Sequence, residues 1–460
     1  MKKRYLFLIL IVIIIILFSL NISAQVITQD EALQDLDYLV KRLEEVHPNI
    51  YFHTSKNISE EKITKITDRL TEKDRWSSLE MYGILSPFVG SFKDAHTYIS
   101  IKKQFNDAYD KELKIFPLDI KLIDDKIMIE NNYSEVEIEK NAEIITINGI
   151  KINEIIDEML DSISSENEIY AFAVLEKTFP VYLWALFDFE HEYDLLLRNN
   201  IGKEFPINVK GISKDVRIDN TKKDTNKNWR LDFPIKGNAY LTINTFNGSL
   251  KKTFKRDIKK YFKEINEREI NNLFIDISEN GGGNTDLAKY LFEYIYDGSY
   301  RLFKEVRMKY SDYAFHNRFN FFTNLYYHFR KDRDDIIVFT STKEETKEND
   351  LRFDGNIYLI TSNFTFSTAV DFAAIIKDHN AGIIIGEETG GLASCYGDII
   401  TDQLPNSKLS FGISYKYFLR PAGFDDGRGV MPDINLDISK LKYQYGEDNY
   451  KKMVIRLINL

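Results

Sequence analysis

The chain has a single cysteine, Cys395, in 460 residues. No intramolecular disulfide can form, and a zinc site built on two or four cysteines is excluded. HExxH, Walker A and GxGxxG patterns are all absent. Positive charge is also short: the formal net charge is −10, which argues against nucleic acid as a partner. Long disordered tracts are missing too, since 43% hydrophobic and 29% charged residues are ordinary globular values. No metal or cofactor is implied by any cluster of residues. At this length two or three domains fit.

One uncharged apolar run stands apart. Met1-Lys2-Lys3-Arg4 is basic, residues 5–20 are apolar, and Ala24 offers a small residue for cleavage. The pattern is that of a signal peptide over residues 1–24, with an uncleaved anchor over 5–20 as the other reading. Either implies export to a periplasmic or extracellular location, with membrane contact only through that segment. Nothing in the sequence sets an oligomeric state.

Three regions follow. Apolar positions three and four apart predict helices over about 30–46, 59–70 and 77–89, a small helical domain spanning 25–105. It ends in Asp94-Ala95-His96-Thr97, where a helix gives way to an alternating strand. Residues 110–219 read as a β-rich module, with strands near 118–122, 126–130 and 204–209 and an Asn148-Gly149 turn. A helix over 152–163 follows that turn, and the rest of the segment up to residue 219 has no clear pattern. A polar linker covers 221–228. Residues 220–460 then alternate strand and helix. Within them, residues 300–349 form an aromatic insert, read as a satellite cluster or as a substrate surface.

Four stretches carry chemistry. Asn272–Ile277 is a buried strand that opens into Asn280-Gly281-Gly282-Gly283 before a helix. Consecutive glycines leave main-chain N–H groups free for a phosphate, an oxyanion or simply a tight turn. Gly355 to Ser362 reads as a second buried strand, followed by Thr365-Phe366-Ser367-Thr368 and a helix. A serine there can be a helix N-cap, or a nucleophile beside the free N–H groups of a helix start. Gly386-Glu387-Glu388-Thr389-Gly390-Gly391 ends a third strand, and Gly427-Arg428-Gly429-Val430-Met431-Pro432-Asp433-Ile434 is a glycine-rich loop.

In this order the four stretches resemble the tail-specific (C-terminal-processing) serine peptidases, most closely their tricorn-core-like branch. The resemblance implies a multidomain α/β protein: an N-terminal helical domain, a PDZ-like β-rich module and a crotonase-like α/β peptidase core. It implies Ser367 as nucleophile and an oxyanion hole from Gly282, Gly283 and Thr368. One arrangement in this family uses a lysine after the third strand, but Gly390-Gly391-Leu392-Ala393-Ser394 has none, and Lys377 and Lys408 are the nearest spare ones. The other uses a histidine in an Asp-x-His-Thr stretch and an acid before a Gly-Val-x-Pro-Asp loop. That implies His96 as base and Asp426 as acid, with Asp425 its rival. The expected protein is an exported serine endopeptidase acting on peptides or unfolded proteins. The alternatives are a peptide-binding protein on a degenerate core, or an acyl-CoA enzyme, against which export argues.

Overall fold

The computed structural model describes residues 26–221, 228–316, 321–329 and 335–458. The signal segment, most of the 221–228 linker and Phe319 of the insert lie outside the described residues. The fold is mixed α/β and multidomain, with several sheets.

Its centre is a six-stranded sheet in the order Trp229–Ile235, Asn238–Ile243, Asn272–Asp276, Asn356–Thr361, Ile383–Gly386, Ile434–Asn435. Only the first pair is antiparallel. Successive side chains point to opposite faces. Ala239, Leu241, Leu273, Ile275, Leu359 and Ile384 therefore pack with helices Lys251–Asn266, Thr285–Phe292 and Thr368–Asp378. Tyr240, Phe274, Ile360 and Ile385 meet the C-terminal helix Ile438–Ile458 on the other face. Burial on both sides is why these strands read as unbroken apolar runs. The three central parallel strands end at Asp276, Thr361 and Gly386, and each runs into one of the motif loops. In open parallel sheets the loops at the carboxyl ends are where sites are built.

A second sheet is antiparallel, in the order Ile336–Thr340, Glu305–Lys309, Ser410–Leu419, Cys395–Gln403. The short strand Tyr98–Ser100 joins it, pairing Tyr98 with Gly412 and Ser100 with Ser410. This pairing carries the Asp-x-His-Thr turn onto the core. Around it, helices Gln29–Val46 and Ser78–Gly90 share one apolar cluster with Met308, Tyr310, Phe315, Ile337 and Phe411. The aromatic insert is thus partly core, although Tyr326 and Phe329 are exposed. Helix starts follow local chemistry. Thr28 and Ser77 form capping boxes with Glu31 and Glu80.

Between these parts lies a third antiparallel sheet, in the order Leu118–Ile123, Lys126–Asn132, Glu143–Ile147, Glu192–Arg198, Glu204–Lys210. Asn148 and Gly149 have φ of 51° and 79°, as a two-residue hairpin turn with both central residues left-handed requires. Two features of this region lack a signal in the sequence. One is the strand Glu192–Arg198. The other is the helix Glu168–Phe187, apolar on nearly every side and, by length and composition, long enough to cross a membrane. It is wrapped instead by protein. Ala171, Leu175, Phe179 and Leu183 pack on the third sheet, while Trp184 and Ala185 pack on the N-terminal helices. A helix covered on several sides has no amphipathic stripe to read.

The end of helix Thr368–Asp378 is tied to the second sheet by a buried ion pair. Arg420 donates to Asp378 through Nε at 3.1 Å and a terminal guanidinium nitrogen at 2.7 Å, with side chains 6% and 4% exposed. Asp378 also accepts the Ala422 N–H at 2.8 Å. Asp378→Ala would leave the guanidinium buried without its partner. We expect a loss of about 3–5 kcal/mol in urea unfolding.

Candidate active site

Ser367 stands between the strand Asn356–Thr361 and the helix Thr368–Asp378, with φ 53° and ψ −127°. Few non-glycine residues adopt that backbone, and holding it costs on the order of 1–3 kcal/mol. The surroundings over-determine it. Thr365 donates through Oγ1 to Ile277 O at 3.1 Å, Phe366 N–H donates to Asn280 O at 3.1 Å, and Thr368 Oγ1 donates to Gly283 O at 2.9 Å. The polar residues that suggest a turn in the sequence thus bolt the serine turn to the triple-glycine turn. Ser367 occupies the N-cap position, yet its side chain makes no capping hydrogen bond. Its Oγ lies 3.1 Å from His96 Nε2 instead.

His96 is placed by the strand pairing described above and by Asp94. Asp94 Oδ1 accepts the His96 N–H at 2.9 Å, and Oδ2 accepts Thr97 Oγ1 at 2.6 Å. Thr97 in turn accepts the Ser414 N–H at 3.1 Å. The imidazole stacks on Phe366 at 4.6 Å, and Phe366 stacks on Tyr170 at 4.3 Å. Burial lowers the pKa of His96, against Asp94, Asp398 and the Tyr396 main chain, which raise it. The net lowering favours the neutral, proton-accepting imidazole.

Of the glycine-rich turn, Gly282 departs from its expected role. Its N–H already donates to Asn280 Oδ1 at 2.8 Å. No acceptor among the described residues takes the N–H of Gly283 or of Thr368. Both belong to turns that meet at the serine: a Cβ on Gly282 would stand 2.7 Å from Ser367 Cβ and 2.9 Å from Thr368 N.

Asp426 is a further correction. It is exposed, and its carboxylate accepts the Arg428 N–H at 3.4 Å; the structure does not bring it to His96. Asp425 is engaged too, by Tyr417 Oη at 2.5 Å and the Gly427 N–H at 2.9 Å. The cause lies in how their loop is pinned. Arg428 pairs with Glu388 at 2.6 Å, Gly429 N–H donates to Glu388 at 2.9 Å, and Val430 N–H donates to Thr389 Oγ1 at 2.8 Å. These bonds hold the glycine-rich loop against Glu387–Gly391 and leave Asp426 at its outer turn.

The carboxylates that do reach His96 come from elsewhere. One ring nitrogen of His96, one oxygen of Asp94 and one of Glu166 lie within 4.8 Å of one another. Behind Asp94 sits His47, buried, with Nε2 at 3.1 Å from Asp94 Oδ2 and Nδ1 accepting the Asn49 N–H at 3.0 Å. That acceptor role puts the His47 proton on Nε2, aimed at Asp94. His47 and His53 are the rival histidines of the sequence. His47 backs the site, and His53 lines a neighbouring pocket of about 150 Å³ with Phe52, Glu166, Cys395 and Tyr396. His47 precedes Pro48 at a helix end and reads only as a terminator. Glu166 sits in a polar loop without any motif, so no sequence signal marks it.

Neither spare lysine is near the serine. Lys377 pairs with Asp433, which also accepts the Ile384 N–H at 2.8 Å, and Lys408 donates to Pro405 O at 2.6 Å. Lys377→Met is expected to leave the reactivity of Ser367 unchanged and to cost at most about 1 kcal/mol in thermal unfolding, the scale of a partly exposed ion pair.

Comparison with known proteins bears on the family and the fold. Residues 237–436 match the family model described as Peptidase family S41. Two solved structures with the same fold are mature CPAF and mature CPAF complexed with lactacystin. The first is 16% identical, covers 94% of this chain and 98% of its own, and has a TM-score of 0.66. The second is 15% identical, covers 93% and 97%, and has a TM-score of 0.65. No curated protein matches the chain by sequence.

Proposed function

We propose, from the match of residues 237–436 to the model of Peptidase family S41, that the chain cleaves peptides or unfolded proteins by attack of Ser367, with His96 as base. The observation that carries this is the 3.1 Å contact between Ser367 Oγ and His96 Nε2, made inside a strained turn. A serine hydroxyl is a weak nucleophile until a base within hydrogen-bond reach takes its proton. His96 Nε2 accepts that proton as Oγ bonds to the scissile carbonyl carbon. The carbonyl oxygen gains negative charge and settles between the N–H groups of Gly283 and Thr368. His96 then gives the proton to the leaving amine; water next attacks the acyl carbon, its proton passing through His96 to Ser367 Oγ as the acyl–oxygen bond breaks.

The proposal extends to export, on the basic start and the apolar stretch 5–20. It also takes the sheet between residues 118 and 210 as PDZ-like, delivering an extended segment to the cleft.

A fluorophosphonate probe tests the central step. It should label the full chain at Ser367 and leave Ser367→Ala unlabelled. A chain that cleaves β-casein yet labels elsewhere, or that neither cleaves nor labels, would refute the assignment. The second of these outcomes is the one expected of a degenerate, peptide-binding core.

A further inference from the structure

His96 Nδ1 is buried and has no hydrogen-bond partner among the described residues. Glu166 Oε2 is in the same condition. Buried polar atoms left unpaired are costly and rare, and such groups call for an explanation. Asp94 does not supply the missing bond. Its two oxygens already accept the His96 N–H, Thr97 Oγ1 and His47 Nε2. Nε2 of His96 is taken by Ser367. A ring nitrogen of His96 lies within 4.8 Å of a Glu166 oxygen, and the Tyr396 main chain is a neutral group also at the ring.

We propose that Glu166 is the positioning residue of this site, its carboxylate holding the Nδ1–H of His96 so that Nε2 faces Ser367 as the base. The inference rests on the peptidase reading above and adds a residue from outside the family-matched core. Its spacing to the ring exceeds a hydrogen bond, as such contacts often do before substrate tightens them.

Glu166 is delivered by a docked element. It precedes the helix Glu168–Phe187, and three residues seat that helix beside the serine. Asn167 Nδ2 donates to Gly390 O at 2.9 Å. Tyr170 stacks on Phe366, and a Cβ on Gly390 would come within 2.6 Å of the Tyr170 ring. Lys177 lies 4.2 Å from the Phe364 ring and pairs with Glu279 beside the triple glycine. The site is therefore complete only with this helix in place.

Burial, then the charge of Asp94, pushes the Glu166 carboxyl up to about 8. A protonated Glu166 would donate to Nδ1 and leave the ring proton on Nε2, the wrong side for a base. Losing one proton from the pair gives a carboxylate bonded to Nδ1–H and a free Nε2. Activity should thus rise with pH through that range. The groups facing Glu166 are Asp94, His96 and the Ala95 main chain from the turn, its own main chain, Tyr170 from its own helix, His53, Cys395, Tyr396 and Tyr417 around the pocket, and Asp425. Asp371, partly exposed, is the other carboxyl pushed to about 8, in its case by desolvation and Asp398.

The test uses the full chain and β-casein. Glu166→Gln should lower kcat by about 10²–10⁴-fold, the scale of losing the imidazole's orienting acid. KM should stay unchanged, and the rise between about pH 7 and 9 should vanish. Asp426→Asn and Asp371→Asn should keep both rate and profile. By NMR, the His96 ring should titrate in two coupled steps in the parent and in one step in Glu166→Gln. That readout needs no turnover, so it separates failure of this inference from failure of the peptidase reading. Parental rate and pH profile in Glu166→Gln, or the loss appearing in Asp426→Asn instead, would overturn it. So would an unchanged His96 titration.

Discussion

Ser367→Ala is expected to lower kcat on β-casein by about 10⁵–10⁶-fold, with His96→Ala alike and the double variant little worse. The reason is that the two side chains act as one unit. Without Oγ the imidazole has no proton to accept, and without the imidazole the hydroxyl stays a weak nucleophile. The fold should survive, because Oγ makes no capping bond and its recorded partner is the His96 ring. Ser367→Gly makes a sharper companion. It removes the hydroxyl and also relieves the backbone at φ 53°. It should be as inactive as alanine but more stable than Ser367→Ala, by about 1 kcal/mol. Activity within about tenfold of the parent in either variant would end the assignment. A lower melting temperature for the glycine variant than for alanine would show that the turn is not strained.

Gly282→Ala is expected to be the most damaging change that removes no functional group. Gly282 has φ 97°, a region that costs other residues about 1–2 kcal/mol. A methyl group there would also stand 2.7 Å from Ser367 Cβ, 2.8 Å from Phe366 O and 2.9 Å from Thr368 N. Backbone cannot yield as a flexible side chain can, so overpacking adds about 1–3 kcal/mol. The yielding parts are the serine turn and the Thr368 N–H. Misplacing that donor alone should cost about 10²–10³ in kcat. Stopped-time cleavage and urea unfolding on one preparation would show both losses together. Loss of stability with normal kcat would mean that the turn relaxes away from the serine, and the proposed oxyanion donors would then be wrong.

Much of this was readable from the chain because it is local. The buried strands of the main sheet are apolar runs, since helices cover both their faces. Capping serines and threonines mark helix starts, and Asn148-Gly149 marks a hairpin. Three loops bearing glycine or serine chemistry follow three strands in turn, and parallel strands point their carboxyl ends the same way. Ser367, the triple glycine and the Asp-x-His-Thr stretch were therefore visible as candidates. What escaped depends on contacts between distant parts. The helix Glu168–Phe187 has no polar face to give it a period. Glu166 matters through where that helix docks, and His47 through standing behind Asp94.

By itself, then, the sequence determined the strand-and-helix alternation of the core, the turn chemistry around Ser367 and the absence of disulfides. Hydrophobic period, capping and backbone freedom operate over a few residues and leave marks in order along the chain. Only the tertiary structure decided which N–H groups beside the serine stay without an acceptor among the described residues, that Asp426 faces outward, and which carboxyl groups surround His96. Those outcomes are settled by competition among partners, as Asn280 claims Gly282 and Glu388 claims Arg428. A polar group's partner is whichever complementary atom packing brings closest, and that is a property of the folded whole.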